Sequence, residues 1–410
     1  MDKKILTIAV VAVVVIAAVA VAIVVMNNGG KNTDVDGLSI VGRVNSEGSG
    51  IILAQGEEKS DYITAQTDMP GLGAIYIYND SLGLYYVFNK DNWGGKLFAT
   101  PGAATIQHVQ LMQLADMMGL KFVSYTDGTQ MKSDTLYYIA GVPSFAEFVN
   151  KQSSAPLTGF IIWEAQVSVA SVEEYPILVL TNEIFEGHTC CIIGASNKYL
   201  DKEGNTMAVF FSVYKDAVDK INNASKTSSD YVKLVEIATK RVAMPDGMTD
   251  EEKVEAIKSA LENVTYVYSD DNNGSLNLLE KDIANLAEEL YNSKQINKSA
   301  KDLGFNSYDE LAQKFVDDSY LKKAIAGTYT PLSEKKTINV AAISGDIHQI
   351  ALWFAMDTGM FENAKLDVKV FAQSNGPAVY GLLSNGEADI GFLGAPPMTI
   401  RSMNGEDIHA

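Results

Sequence analysis

A two-lobed α/β fold behind one N-terminal membrane-crossing segment is what this sequence predicts, and three observations carry that expectation. Residues 5–26 run without a polar side chain except Thr7. From Lys96 onward, short apolar strands alternate with amphipathic helices, and the alternation resumes at Thr337. The chain beyond residue 37 is long enough to bury the cores of two lobes of ordinary domain size.

An apolar run of about 20 residues spans the hydrocarbon core as a helix. Lys3 and Lys4 precede it and no lysine directly follows, which favours a cytoplasmic N-terminus with the remainder outside. A cleaved secretory signal is the rival expectation, although its apolar core usually spans only about 7–15 residues. No cysteine follows the segment, which argues against a lipoprotein anchor. Residues 27–37, rich in Gly, Asn and Asp, read as a flexible tether. The net charge of -19 argues against nucleic acid and anionic lipid surfaces as partners. Cys190 and Cys191 are adjacent, and neighbours on a strand point to opposite faces. Two small buried residues are therefore expected there, with stability coming from a core instead of disulfides.

The elements are taken in chain order. Residues 74–88 form a tyrosine-rich hairpin turning at 80–83. Strands are expected at 97–99, 122–125, 160–163 and 189–193, with a helix over 106–118. The stretch 208–326 is mainly helical, including 250–261 and 278–291. After a polar joint at 328–336, residues 337–343 form a buried strand. Asp346 then starts a helix to about Met356, with Gln349 three residues on as in a capping box. Residues 366–371 are a strand; Asn375 caps a helix with Pro377 in its first turn and Gly386 past its end. Residues 388–393 are a third strand, and Ala395-Pro396-Pro397 opens a last helix.

Several of these stretches carry a resemblance. ISGDIHQIALWFA, GMFENAKLDVKV, NGPAVYGLLSNGEADIGFLGAPP and NGEDIHA resemble the start of the mature substrate-binding proteins of ABC importers for nitrate, sulfonates and taurine. That group includes relatives of thiamine-pyrimidine-precursor binding proteins. GKLFATPGAATIQHV, GFIIWEAQ and HTCCIIGAS resemble its second half, and the helical segment to Ala326 its C-terminal region. The resemblance implies a two-lobed, periplasmic-binding-protein-like fold of the second type. The segment that comes first in that family comes last here. A circular permutation and a truncated tandem frame both account for the order, and each motif occurring once favours permutation. Joining 410 to 38 restores the family order, with 407–410 and 38–41 making one strand. The expected organisation is an anchor at 1–26, a tether at 27–37, and part of the first lobe with a hairpin insertion at 38–95. A second lobe is expected at 96–195, then helices on the first lobe at 196–327, the joint of former termini at 328–336 and the first-lobe core at 337–410.

Ligands of open α/β sheets bind beyond the carboxyl ends of strands, where helix-start amides are free. Four such loops recur: Ser344-Gly345-Asp346, Ser374-Asn375-Gly376, Gly394-Ala395-Pro396 and Thr100-Pro101-Gly102. The resemblance places them around the cleft. Asp346 and Asn375 serve equally as plain helix caps. His348, and His108 after Thr105, stand in first turns where a side chain can reach a cleft or simply satisfy a neighbouring loop. Trp163-Glu164 ends a strand, suiting a stacking wall with a carboxylate, core packing or a structural ion pair. His188 reads as structural. Pro101, Pro396 and Pro397 lack an N–H, and Arg43, Arg241 and Arg401 are the only arginines, so an oxyanion grip is weakly signalled. The histidines lack paired metal-ligand spacing. An extracytoplasmic solute receptor is expected, without cofactor, catalytic residues or metal, its partners a small polar or anionic ligand, an ABC permease and its ATPase. A surface sensor, and less so a thiamine-pyrimidine-synthase-like enzyme, are the alternatives.

Overall fold

A computed structural model describes residues 37–271 and 273–404. The apolar segment 5–26, most of the tether and the strand expected at 407–410 lie outside the described residues. Among those described, no helix is long and apolar enough to cross a membrane.

The fold is mixed α/β, built on two six-stranded sheets and one small sheet. The strands are β1 (Leu38–Glu47), β2 (Ser49–Leu53), β3 (Ile63–Gln66), β4 (Ile75–Asn79), β5 (Leu84–Phe88), β6 (Leu97–Thr100), β7 (Lys121–Ser124), β8 (Thr135–Ala140) and β9 (Gly159–Trp163). They continue with β10 (Ile177–Leu180), β11 (Thr189–Ser196), β12 (Val264–Tyr266), β13 (Lys336–Ile343), β14 (Leu366–Gln373) and β15 (Ile390–Gly394). The helices that matter to the site are α1 (Ile106–Met117), α2 (Phe145–Gln152), α3 (Gln166–Val172), α4 (Asn197–Asn223), α5 (Ser229–Arg241) and α6 (Asp250–Asn263). After them come α7 (Asn277–Asn292), α8 (Ile350–Asp357), α9 (Gly376–Ser384) and α10 (Ala395–Met403).

The first sheet has the order β12-β1-β11-β15-β13-β14 and the second β10-β2-β9-β6-β8-β7. Leaving out the edge strands β12 and β7, the two sheets have the same plan. β13 pairs in parallel with β14 and β15, as β6 does with β8 and β9. β11 runs antiparallel to β15 and β1, as β2 does to β9 and β10. The connecting helices match as well: α1 lies between β6 and β8 as α8 lies between β13 and β14, and α2 precedes β9 as α9 precedes β15. With each large sheet and its helices called a lobe, in the second β9 leads through α3 into β10; in the first, β15 leads into α10, and the strand equivalent to β10 is β1, far away in the chain.

Local chemistry supports these elements. Thr105, Ser144, Thr249 and Asn375 each accept a backbone N–H at the start of α1, α2, α6 and α9, caps worth about 1 kcal/mol each. Thr249 with Glu252 completes a capping box. At 346–349 the expected box is replaced: the Asp346 carboxylate takes the His348 N–H, residues 347–349 form a 3-10 turn, and Gln349 is turned inward to the Ile343 N–H. All eight residues of β11 are buried because it is a central strand covered on both faces. Phe210 stacks on Phe361 and meets Phe392 edge-on in the first lobe, while Phe148 stacks on Phe160 in the second.

Two features of the sheets bear on the expected boundaries. Ser49–Leu53 belongs to the second sheet, so the first lobe's early share ends at Gly48 and not at residue 95. The hairpin β4–β5 goes with it, for Tyr86 and Phe88 pack with Tyr62, Trp93 and Phe98 of the second-lobe core. Likewise β11 returns to the first sheet, so the second lobe's stretch ends before residue 195. The physical reason is that only Gly48 separates β1 from β2, the chain turning through positive φ at Glu47 and Gly48, which leaves no linker to be seen in the sequence.

Candidate functional site

The chain crosses between the lobes at Gly48 and again over 181–188, and the helix α6 leans across to the second-lobe core through Ala256. Two polar regions lie at this junction.

The first is packed solid around Gly48. Its carbonyl accepts the Glu164 N–H from the second lobe at 2.8 Å and the His348 Nε2–H from the first at 3.1 Å. Gly48 has φ +83°, and a Cβ there would sit 2.6 Å from His348 Nε2 and 2.8 Å from Val264 Cγ2, so both conformation and space require glycine. The other ring nitrogen of His348 meets Asp346 Oδ1 at 3.0 Å. Burial pushes the imidazole pKa down, but the Asp346 carboxylate, the Cys190 sulfur and the Gly48 carbonyl carry it back up to about 9. His348 is thus a buried imidazolium with acceptors on both nitrogens. Glu164 is equally occupied, accepting the Ser168 N–H at 3.1 Å and the Asn263 side-chain amide at 2.7 Å. Burial raises its pKa. Gln107 donates to the Ser49 hydroxyl at 2.8 Å, and the Thr181 hydroxyl to the Ser49 carbonyl at 3.1 Å.

Cys190 and Cys191 also belong here, and the expectation that their side chains diverge is corrected. Between Asn45↔Cys191 and Ser46↔Thr189 the register of β1 and β11 slips by one residue at Cys190. A bulge of this kind breaks the two-residue alternation, and the sulfurs lie 3.8 Å apart, both thiols free. Either thiol can donate in this contact, and the mutual interaction lowers the pKa of Cys190 while raising that of Cys191. The ligand atoms of Cys190, Cys191 and His348 lie within 4.8 Å of one another. With both nitrogens of His348 donating, the imidazole has no free lone pair for a metal, and the group is a hydrogen-bonded core.

The second region is a cavity of about 270 Å³ between α1 of the second lobe, the crossing segment 185–189, and α7 with the start of α10 on the first-lobe side. Its polar atoms are not all spoken for. Gln110 is buried, yet neither its amide nitrogen nor its oxygen has a partner. His188 donates Nδ1–H to the Phe185 carbonyl at 2.6 Å, which leaves an acceptor lone pair on Nε2, also buried and unpartnered. Burial lowers the His188 pKa to about 4, so the ring is neutral. Asp282 accepts from the Thr189 hydroxyl and Glu289 from the Gln113 amide, each at 2.6 Å, and burial raises both carboxyls. Ile106, Val109, Phe185 and Leu286 complete the wall.

Of the residues singled out in the sequence, the structure gathers Asp346, His348 and Glu164 at the Gly48 core and places Ala395 on the cavity wall. Gly345 packs against Ala243, and Gly376 against Pro397 near Gly394. Thr100 and His108 bond each other at 3.1 Å inside the second lobe, the imidazole meeting the stacked Phe122 and Tyr138 rings edge-on. Burial lowers the His108 pKa to about 4. Thr105 is committed to the cap of α1 and to the Gly102 carbonyl. Ser344 and Asn375 are exposed, and Trp163 packs on the second-lobe core. Arg43 is held by Asp270 at 2.9 Å. His188, Gln110, Asp282 and Glu289 do not stand out in the sequence as cleft residues. A signal exists for one of them: glutamines at 107, 110 and 113 recur at helical spacing down one side of α1.

No protein-family model and no curated protein matches the sequence. Among solved structures, the chain is similar to the periplasmic nitrate-binding protein NrtA from Synechocystis PCC 6803, at 12% identity and TM-score 0.41, covering 71% of this chain and 68% of that one. It is also similar to a protein from Bordetella bronchiseptica RB50, at 15% identity and TM-score 0.41, covering 72% and 76% of the two chains.

Proposed function

We propose that this chain is an extracytoplasmic solute-binding receptor, of the two-lobed periplasmic-binding type, which captures a small polar ligand between its lobes and delivers it to an ABC permease driven by an ATPase. One observation carries this: a cavity walled by both lobes, with a buried amide in its wall, Gln110, that has no partner. A buried unsatisfied amide costs about 1–3 kcal/mol, and a ligand that bonds it recovers that cost only while both walls surround it. Ligand therefore favours the closed arrangement by differential contact, with movement about residues 47–49 and 181–188. The apolar run 5–26 would hold the receptor to the membrane. Fluorescent labels at exposed Lys151 of the second lobe and Lys335 of the first, on the full-length chain, test it. Energy transfer should rise on adding a small-molecule cell extract and fall on dialysis; an unchanged signal refutes closure.

The order of elements is that of a circular permutation within this class. The matching plans of the two sheets support it, since β15 and α10 lack the onward connection to β1 that β9 and α3 have to β10. A chain opened at 328–336, with 404 linked to 37, should fold and bind as the natural chain does. A rewired chain that fails to fold removes the permutation.

A further inference from the structure

The cavity has a chemical bias that runs against the anions suggested by the sequence resemblance. We propose that it takes a small organic cation bearing N–H donors, such as an alkylammonium, a guanidinium or an imidazolium, and excludes oxyanions; the proposal rests on the cavity being the receptor's ligand site. Among the described residues its walls contain no lysine or arginine, while Glu186, Asp282 and Glu289 all line it. The Arg43 guanidinium reaches the Gly187 carbonyl at the cavity's margin but is committed to Asp270 at 2.9 Å and to the Ser46 hydroxyl at 2.7 Å. The Pro396 and Pro397 start of α10 cannot supply the amide donors an oxyanion needs there.

The unpartnered atoms agree in kind. His188 Nε2 offers only a lone pair, because Nδ1 carries the proton held by the Phe185 carbonyl. The Gln110 amide adds one acceptor and one donor. Asp282 accepts from Thr189, through hydroxyl and backbone, and Glu289 from the Gln113 amide; these donors are neutral, and both carboxylates retain acceptor capacity. Two partly buried carboxylates are costly; burial raises both, Arg43 offsets part of this at Asp282, and none of the described cavity residues beside Glu289 is a cation. A ligand cation provides the missing countercharge, and its apolar body meets Ile106, Val109, Phe185 and Leu286. Nitrate or a sulfonate would instead face three carboxylates and a lone pair.

Calorimetry on the full-length chain in mild detergent decides the matter, with agmatine, histamine and cadaverine as donor-bearing cations, tetramethylammonium as a cation without N–H, and nitrate and methanesulfonate as anions. At least one donor-bearing cation should bind more tightly than tetramethylammonium, and neither anion should bind. Affinity should fall at least about tenfold in Gln110→Leu, Asp282→Asn and Glu289→Gln, with melting temperatures showing each variant folded. Binding of an anion that is lost in Gln110→Leu would overturn the ligand class and leave the cavity as the site. Binding that is unchanged in all three variants would remove the cavity, and with it the receptor function. Failure of every cation to bind also overturns the proposal.

Discussion

The two polar regions between the lobes are close neighbours in the chain and opposite in character. Around Gly48, nearly every buried polar atom has its partner, Asn45 Oδ1 being an exception; around Gln110, an amide and an imidazole nitrogen have none. The first region joins Glu164, Gly48 and His348 through one carbonyl and holds the lobes at a fixed point. The second leaves its groups dehydrated and uncommitted. Buried groups that are paired specify structure, and buried groups left unpaired await a partner from outside. Substitutions should therefore act on stability in the first region and on binding in the second.

The largest effect is expected at His348. His348→Ala leaves the buried Asp346 carboxylate without its counterion, a loss of about 3–5 kcal/mol that should appear as a lower denaturant midpoint. The imidazolium sets the sign with pH. Its folded pKa is raised to about 9, so its contribution is fully present below the unfolded value of about 6.5 and disappears as pH rises through about 9. His348→Ala should lose that alkaline decline, and a variant with an unaltered decline would show that His348 is not the group responsible. Next comes Gly48→Ala, where positive φ and the approach to His348 and Val264 together cost about 2 kcal/mol. If alanine is accommodated without loss, the Gly48 region is looser than its distances imply.

Gln110→Leu sharpens the contrast because stability and binding should move in opposite directions. Removing an unpartnered buried amide stabilises the empty protein by about 1 kcal/mol. It also removes the central ligand contact. A destabilised Gln110→Leu protein would mean that the amide is satisfied in solution and belongs with the Gly48 region after all.

The sequence makes the frame of this contrast legible and not its details. The strands 337–343 and 388–393 announce themselves as largely apolar runs of buried parallel strands, 366–371 as the alternation of an edge strand, and Asn375 and Thr105 mark helix starts. Glu164 and His348 draw attention as polar residues beside apolar strands, and both prove to be buried at the junction. Their placement at strand ends gives them the look of ligand groups; what commits them to structure is a carbonyl at Gly48, about 300 residues away from His348 in the chain. No local pattern encodes that pairing. The slip in register at Cys190 is equally invisible, since it depends on the fit of β11 against β1. The glutamine stripe of α1 is legible, but apolar neighbours on the same helix mask its meaning.

The smallest expected effect concerns His188, and it tests the same contrast from the cavity side. The ring is neutral because burial lowers its pKa to about 4, while the Phe185 carbonyl fixes the proton on Nδ1. A depressed histidine binds fewer protons folded than unfolded, so stability falls as pH drops below about 6.5 and continues to fall toward about 4. Between pH 7.5 and 6 the loss is under about 1 kcal/mol, because only part of the unfolded population is protonated there. His188→Gln should flatten this acid-side slope relative to the natural protein, while leaving the alkaline decline of His348 in place. His108 has the same sign and remains in both proteins, so it cancels in the difference. A donor-bearing ligand that bonds Nε2 holds the ring neutral further and should extend the acid-side loss of stability below about pH 4 in the natural protein but not in His188→Gln. If ligand leaves the slope unchanged in both, Nε2 is not a ligand contact, and the cavity's acceptors reduce to Gln110 and the two carboxylates.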